Sequence, residues 1–388
     1  MSIGNIILAL LVFSFIIIFH EFGHFIVAVK NGIHVIEFSL GMGPRIISWG
    51  KTANGHKLLF FKSDKFFSEH TEFENHTVYS WKILPLGGSC MMLGEEEEVK
   101  DERSFSTKSV FARMAVIFAG PFFNFILAFL LAIVLIGVYG YESPEVMEVT
   151  QGGAMEQAGV QVGDVITSIN GTKIVLNGEI GYYKVFHPFT EEPMEITLNR
   201  GGKNVTVTAT PQLVKNESGE EDYMLGFSYG KTVKPGALGI IKYSAYEVKY
   251  YIQTTVQSLV WMLRGKVSMK DISGPVGIVK VVSNNVEAGV DAGRDAKGNM
   301  TSDSVKNAIY SILVISILLT ANLGVMNLIP IPALDGGRLL FLIIELIRRK
   351  PLPAKAEAYV NMAGFVLLMA LMVVVLGSDI MKLVNKQL

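Results

Sequence analysis

Two histidines and a glutamate lie inside an otherwise apolar part of the chain. The run His20-Glu21-Phe22-Gly23-His24 falls within the apolar block 3–29. Residues four apart share one helix face, about 6 Å apart along the axis, so both imidazoles can reach one zinc ion. Glu21 lies beside them and can act as a general base. Because ionisable side chains in hydrocarbon are costly without a partner, the pattern predicts a metal site rather than a chance arrangement.

The composition indicates a membrane protein. Of 388 residues, 50% are hydrophobic and only 18% are charged, and the net charge is −1. A chain of this charge lacks the basic surface that nucleic-acid binding needs, so we expect no nucleic-acid partner. The single cysteine, Cys90, excludes an internal disulfide and a cysteine-based zinc ribbon.

Four apolar blocks are long enough to cross a bilayer, which takes about 20 residues. They cover residues 3–29, 114–141, 307–334 and 358–378. Cytoplasmic loops of membrane proteins are rich in lysine and arginine. The short connection after the third block is basic, with Arg338, Arg348, Arg349, Lys350 and Lys355. We therefore expect spans one and three to run from outside to inside, with His20 and His24 toward the cytoplasmic end.

The segment between the first two spans predicts a small sheet of hairpins close to the membrane. Apolar stretches at 38–49, 57–62 and 78–86 are separated by turn residues and end at Gly87-Gly88. His70 and His76 in this segment, flanked by acids, could bind a second metal, although a hydrated loop explains them as well. We assign no function to the acidic run 95–98.

The second span opens with Ala119-Gly120-Pro121-Phe122-Phe123-Asn124. Glycine and proline permit a kink and close helix contact, and Asn124 can form a hydrogen bond to a neighbouring helix. Plain helix packing and a role beside the metal both remain open for this run.

Residues 146–230 change to a soluble, strand-rich character. The stretch 158–172, AGVQVGDVITSINGT, resembles the central signature of a PDZ domain, and apolar strands follow at 194–198 and 205–209. Leu225-Gly226-Phe227 is a candidate loop for a peptide carboxylate. PDZ domains bind peptides by adding a strand to a sheet edge, although a structural spacer is the alternative. Beyond this domain we expect an interfacial helix at 237–263 and a polar loop at 284–304.

The third ligand of a catalytic zinc is expected at the end of span three, because such a site takes three protein ligands. In the run 322–337, NLGVMNLIPIPALDGG, Pro330 and Pro332 end the helix and force extended backbone. Irregular backbone at membrane depth is tolerated only inside protein or a wet cavity. Asp335 is the carboxylate held there, at the depth of the two histidines. The alternative is that Asp335 only caps the helix that follows.

Together, HEFGH in span one, the PDZ-like insert and NLIPIPALDGG in span three resemble the site-2 proteases, which are intramembrane zinc metalloproteases. The resemblance is to the bacterial regulators of sigma-factor release with a single PDZ domain. It implies that His20, His24 and Asp335 bind Zn²⁺ and that Glu21 is the general base. It also implies that substrate is bound by Asn322, Asn327, Pro330, Pro332, Gly87 and Gly88. Many relatives carry two PDZ domains and only one fits this chain, so filtering of substrates by a tandem pair is not expected.

The expected fold is a polytopic α-helical membrane protein with about four transmembrane helices, a membrane-associated β-hairpin region and an inserted β-rich PDZ domain. The expected parts are an N-terminal membrane part (1–145), the extracytoplasmic PDZ domain (146–230), an interfacial helix with a polar loop (231–304) and a C-terminal membrane part (305–388).

The expected function is zinc-dependent hydrolysis of peptide bonds within transmembrane segments, in the cytoplasmic membrane of a bacterium, with the active site toward the cytoplasm. Substrates would be single-span proteins already cleaved outside, such as anti-sigma factors, or remnant signal peptides. The alternatives are a divalent-metal transporter, in which the same ligands form a transit site, and a non-catalytic PDZ-based binding protein.

Overall fold

The computed structural model describes residues 3–52, 55–70, 73, 75–95, 99–215, 221–266 and 274–384. The chain divides into two compact units, and each is described by itself. The first consists of Met1–Ala128 with Val260–Leu388, and the second of Phe129–Leu259. Both unit boundaries fall inside helices.

The first unit is mainly helical. Its helices, numbered through the whole chain, are α1 (Ile3–Lys30), α2 (Asp64–Glu69), α3 (Val110–Tyr139, shared with the second unit), α7 (Pro275–Ala292), α8 (Ser302–Leu328), α9 (Asp335–Arg348) and α10 (Ala354–Val384). Four of the described helices are long and apolar enough to span a membrane: 4–30, 110–139, 302–328 and 355–382. The described residues therefore contain four helices with the length and composition expected of the four predicted spans.

One sequence prediction about the C-terminal half holds and another needs correction. The helix of the third apolar block ends before the prolines, as expected: α8 ends at Leu328, because Pro330 lacks a backbone N–H and disfavours helix before it. The polar loop expected at 284–304 is wrong up to Ala292, since α7 continues to that residue. Apolar side chains of α7 and α8, Val282 and Ile315, are buried against Ala9 of α1, and this packing outweighs the polar composition of the segment.

A three-stranded antiparallel sheet follows α1. Its strands are β1 (Val35–Thr52), β2 (Gly55–Phe60) and β3 (Val78–Met92), in the order β2-β1-β3. The last part of β3 pairs with the first part of β1, with Leu40 opposite Gly88. Antiparallel strands thus lie where the hairpins were predicted, and β2 and β3 are the two edge strands of this sheet. The position of the sheet relative to a membrane stays a prediction.

The second unit contains a six-stranded sheet in the order β11-β4-β5-β7-β8, with β6 paired to β5. Its strands are β4 (Tyr141–Val149), β5 (Val165–Ile169), β6 (Thr172–Lys173), β7 (Met194–Arg200), β8 (Lys203–Ala209) and β11 (Phe227–Val233). A separate hairpin is formed by β9 (Gln212–Lys215) and β10 (Glu221–Met224). The helices are α4 (Ala154–Gln157), α5 (Gly178–Phe186) and α6 (Ala237–Leu263, shared with the first unit).

The run AGVQVGDVITSINGT forms a turn, strand β5 and a second turn, as the pattern predicts. Ile166 and Ile169 of β5 are fully buried in the core of the sheet. Asn170 and Gly171 both have positive φ in the turn that follows. Asp164, also fully buried, accepts hydrogen bonds from Arg200 Nε (2.8 Å) and Nη2 (2.7 Å). This ion pair joins the start of β5 to the end of β7.

Candidate active site

Three side chains from distant parts of the sequence converge inside the first unit. His20 and His24 lie one turn apart on α1 and are buried, and Asp335 is the first residue of α9. Asp335 Oδ2 lies 3.1 Å from His20 Nε2 and 3.4 Å from His24 Nε2. The three ligand atoms lie within 4.8 Å of one another. In the described part of the chain, this is the one group of three or more histidine, cysteine or carboxylate side chains that could hold a metal.

The hydrogen-bond geometry fits a cation at the centre of this group. His24 Nδ1 donates to the backbone carbonyl of Val116 (2.8 Å), which in the neutral ring leaves a lone pair on Nε2 for a metal. The Nε2 atoms of His24 and His20 are 3.2 Å apart, and Asp335 Oδ2 is buried without a hydrogen bond of acceptable geometry. Two imidazole nitrogens and one carboxylate oxygen are a donor set that zinc takes at catalytic sites, with a fourth position left open.

Close packing of α3 on α1 places the two imidazole rings. A Cβ atom built on Gly120 would lie 2.6 Å from His24 Cε1 and 2.7 Å from His20 Cε1. A Cβ on Gly23 would lie 2.5 Å from the carbonyl oxygen of Ala119. Contacts this short do not occur in real structures, so only glycine fits at both positions. The close helix contact expected from the glycine in the second span is therefore present, and it lies directly against the two imidazole rings, with His24 Nε2 the nearest atom.

The segment between α8 and α9 places Asp335. Ala333 has a φ of 73°, an uncommon value for a residue with a side chain, and it turns the chain back into α9. Gly336 packs against the backbone of Leu328, where an added Cβ would lie 2.5 Å from the carbonyl oxygen. Gly337 packs in the same way on Ile331, at 2.8 Å from its carbonyl carbon. The two glycines of LDGG therefore let the first turn of α9 lie on the extended proline segment.

Two ion pairs that the sequence did not predict hold α9 in place. Arg338, one turn after Asp335, donates to Glu95 at 2.5 Å, and Glu95 also accepts from the backbone N–H of Met92 at the end of β3. Farther along α9, Glu345 pairs with Arg113 of α3 at 2.5 Å. Glu95 belongs to the acidic run to which no function was assigned, and the rest of that run lies outside the described residues.

Strand β3 passes directly beside Glu21. A Cβ on Gly88 would lie 3.3 Å from Glu21 Cγ and 3.0 Å from the carbonyl oxygen of Ser39. The backbone N–H of Cys90, two residues on, hydrogen-bonds to the Glu21 carboxylate. The predicted site residues Glu21, on α1, and Gly88, on β3, are thus brought together. Gly87 precedes Gly88 in the strand and has a φ of 81°. An edge strand lies beside the expected general base.

The other predicted substrate-binding residues occupy the element that leads to Asp335. Asn322 and Asn327 are half-buried on α8, and Pro330 and Pro332 lie in the extended segment after it. Gly364 of α10 packs so closely on Pro332 that a Cβ there would lie 2.7 Å from the proline carbonyl oxygen. Contact of these residues with substrate stays a prediction.

The candidate carboxylate loop of the second unit lies before an edge strand. Leu225-Gly226-Phe227 leads into β11, and Gly226 has a φ of 73°. The carbonyls of Leu225 and Gly226 accept hydrogen bonds from Met155 and Thr150, both at 2.9 Å. These bonds fix the loop at the beginning of the edge strand β11, where strand addition by a peptide would start. Peptide binding there stays a prediction.

The suggested second metal site finds no support among the described residues. His70 stacks on the ring of Phe66, with centroids 3.9 Å apart, and its Nδ1 bonds to the carbonyl oxygen of that residue. Neither His70 nor His76 belongs to a described ligand group. The acids Glu72 and Glu74 between them lie outside the described residues.

The family model that describes peptidase family M50 matches residues 8–63 and 62–371. The chain belongs to this family, the site-2 proteases, and it is a zinc metalloprotease of that type.

Individual relatives match over nearly the whole chain. The regulator of sigma-W protease RasP of Bacillus subtilis is 30% identical, covering 99% of this chain and 100% of the relative. The zinc metalloprotease RasP of Geobacillus kaustophilus is 29% identical, covering 98% and 99%. A Clostridium perfringens protein whose name assigns it to the zinc metalloproteases is 35% identical, covering 97% and 98%.

Among solved structures, a PDZ domain of an SdrC-like protein from Listeria monocytogenes matches 23% of this chain and 88% of its own, with 20% identity and a TM-score of 0.20. A score at that level carries no argument about the fold.

Proposed function

We propose that this chain hydrolyses peptide bonds within transmembrane segments of other proteins, with zinc held by His20, His24 and Asp335. The observation that carries the proposal is the convergence of these three ligand atoms within 4.8 Å, supplied by one helix long and apolar enough to span a membrane and by the segment that follows another. Zinc ligands at such a position serve a reaction on substrates that are themselves in the bilayer.

An amide within a transmembrane helix is protected, because its carbonyl is bonded inside the helix and water is scarce. Zinc, when bound, supplies a Lewis acid that polarises the scissile carbonyl and lowers the pKa of water to about 7. Glu21 accepts a proton from the attacking water on its carboxylate and returns it to the leaving amine. The hydrogen bond from Cys90 holds that carboxylate in place.

The substrate must be unwound before cleavage, and the edge strand β3 offers a means. Gly87 and Gly88 lack side chains, so an extended substrate can approach the backbone of β3 closely beside Glu21. Asn322 and Asn327 bind backbone groups that the unwound helix releases. Pro330 and Pro332 keep their own segment extended, which leaves it able to line the bound strand.

The substrates we propose are single-span membrane proteins already cleaved outside, or remnant signal peptides. The name of the Bacillus subtilis relative, a regulator of a sigma factor, supports the first class for this chain. Membership in a protease family argues against the transporter and binding-protein alternatives. The glutamate beside the ligands argues against them as well, because neither function needs a general base there.

The test uses the purified full-length chain with a model single-span substrate. We expect the wild type to cleave within the span, a chelator to stop cleavage, and added zinc to restore it. Glu21→Gln should retain stoichiometric zinc but lose cleavage, because the amide cannot accept the proton. Cleavage by Glu21→Gln at the wild-type rate would remove Glu21 from this role.

We further propose that the chain lies in the cytoplasmic membrane of a bacterium, with the active site toward the cytoplasm and the PDZ domain outside. The bacterial relatives and the basic segment around Arg348 support this orientation. Single cysteines placed at the exposed positions Lys203 and Lys350, in a Cys90→Ser background, test it. An impermeant thiol reagent added to intact cells should label position 203 alone; labelling of position 350 alone would invert the topology.

A further inference from the structure

Asn124 is a fully buried amide in the span formed by α3, and it contacts a metal ligand. Its Nδ2 lies 3.1 Å from Nδ1 of His20. Its Oδ1 is buried and has no hydrogen-bond partner. A polar side chain with one unpaired atom is unfavourable inside a membrane-spanning helix. The contact with His20 is the interaction that Asn124 makes there.

The contact belongs to a regular stripe on α3. Val116, Gly120 and Asn124 follow one another at intervals of four, so they lie on one face of the helix. The carbonyl of Val116 holds Nδ1 of His24, Gly120 leaves room for both rings, and Asn124 lies at Nδ1 of His20. One helix face therefore contacts both imidazole rings.

Zinc binding fixes which atom of the amide must face the ring. A histidine that binds zinc through Nε2 carries its proton on Nδ1, and that proton needs an acceptor. The nitrogen and oxygen of an amide have the same shape, so a half-turn of the Asn124 amide exchanges them. With Oδ1 turned to His20, the Nδ1–H is bonded and the Nε2 lone pair faces Asp335 and His24.

We propose that Asn124 is a positioning residue for the zinc site, and that its Oδ1 accepts the Nδ1 proton of His20 in the zinc-loaded protein. This inference rests on the zinc site of the proposed function, and it assigns to Asn124 a role beyond helix packing. An asparagine suits the position because it can donate to the ring before zinc binds and accept from it afterwards.

The test compares zinc affinity among variants of the full-length chain, measured by competition with a chelator of known affinity. Loss of the partner of a zinc-bound histidine costs about 10- to 100-fold in metal affinity. We expect Asn124→Leu, of similar volume but without an acceptor, to lose affinity in that range. Asn124→Asp, which keeps an acceptor, should stay within about threefold of the wild type. Ser316→Ala, which removes a buried hydroxyl from another helix long and apolar enough to span a membrane, is the control and should not change the affinity.

The outcomes separate the possibilities. Zinc binding by Asn124→Leu within twofold of the wild type would overturn the role of Asn124. An Asn124→Asp variant as weak as Asn124→Leu would also overturn it, because the amide would then act as a donor. If Asn124→Leu does not fold, Asn124→Asp beside Asn124→Ala gives the same comparison. The visible absorption of the cobalt-loaded proteins reports ligand geometry, and it should change in Asn124→Leu but not in Asn124→Asp. A wild type that binds no zinc would instead overturn the zinc site itself.

Discussion

Replacing Gly120 by alanine is the most direct test of how helix packing shapes the zinc site. The new Cβ would lie 2.6 Å from His24 Cε1 and 2.7 Å from His20 Cε1, well inside van der Waals contact. Neither ring can simply turn away, because both are held at Nδ1, by the Val116 carbonyl and by Asn124. We therefore expect the rings, and with them the Nε2 atoms, to move.

The size of the effect follows from the overpacking. One added methyl group costs about 1–3 kcal/mol, and we take about 2 kcal/mol because the Cβ meets two rings at once. Helix propensity does not enter, because alanine replaces glycine in both the zinc-free and the zinc-loaded protein. Zinc binding must restore the ring positions against this clash, which corresponds to roughly a 30-fold loss of zinc affinity.

The assay is zinc affinity of the full-length protein by chelator competition, with Gly137→Ala in the same helix as the matched control. A Cβ at Gly137 would meet its nearest neighbour, Ile240, at 3.9 Å, which is ordinary contact. Gly137→Ala should therefore bind zinc like the wild type. If Gly120→Ala also binds zinc with wild-type affinity, the account of α3 as the support behind both rings is refuted.

Three further predictions concern single contacts. Asp335→Ala should abolish stoichiometric zinc binding, as measured by metal analysis. Arg338→Gln should weaken zinc binding about tenfold by releasing the first turn of α9, and Glu95→Gln should match it; unchanged affinity in both would remove the ion pair from the site. Hydrogen bonding from Arg200 lowers the pKa of Asp164. The ionised Asp164 carboxylate therefore stabilises the folded protein above the unfolded-state pKa of aspartate, about 3.9. This stabilisation is lost as pH falls through the pKa of Asp164 in the folded protein. Asp164→Asn should reduce amide protection of β5 at pH 7 by about 2 kcal/mol in hydrogen exchange and remove this pH dependence.

The sequence was sufficient to predict the cluster of His20, His24 and Asp335, because each of these residues carries a local signal. The four-residue spacing of His20 and His24 in an apolar helix already places both rings on one face. Asp335 was found through the prolines before it, which end the helix at membrane depth. The convergence of the three side chains in the structure matches this expectation.

Features that depend on distant partners could not be predicted in the same way. Glu95 lies in an acidic run typical of a solvated turn, and its partner Arg338 is 243 residues away. The close approach behind Gly120 involves rings on another helix, so the glycine alone indicated only helix contact. The helix α7 was not predicted, and its second half was interpreted as loop because polar residues such as Asn284 and Asn285 hide the apolar face that packs on α1 and α8.

The central claim is that the site at His20, His24 and Asp335 cleaves peptide bonds within a transmembrane segment. The most direct measurement is the mass of the products when the full-length protein, in lipid vesicles, acts on a single-span substrate. We predict that the new termini fall inside the apolar span and that no product forms with Glu21→Gln or with a chelator. Products whose termini lie only outside the span, or cleavage that persists without zinc, would contradict the account.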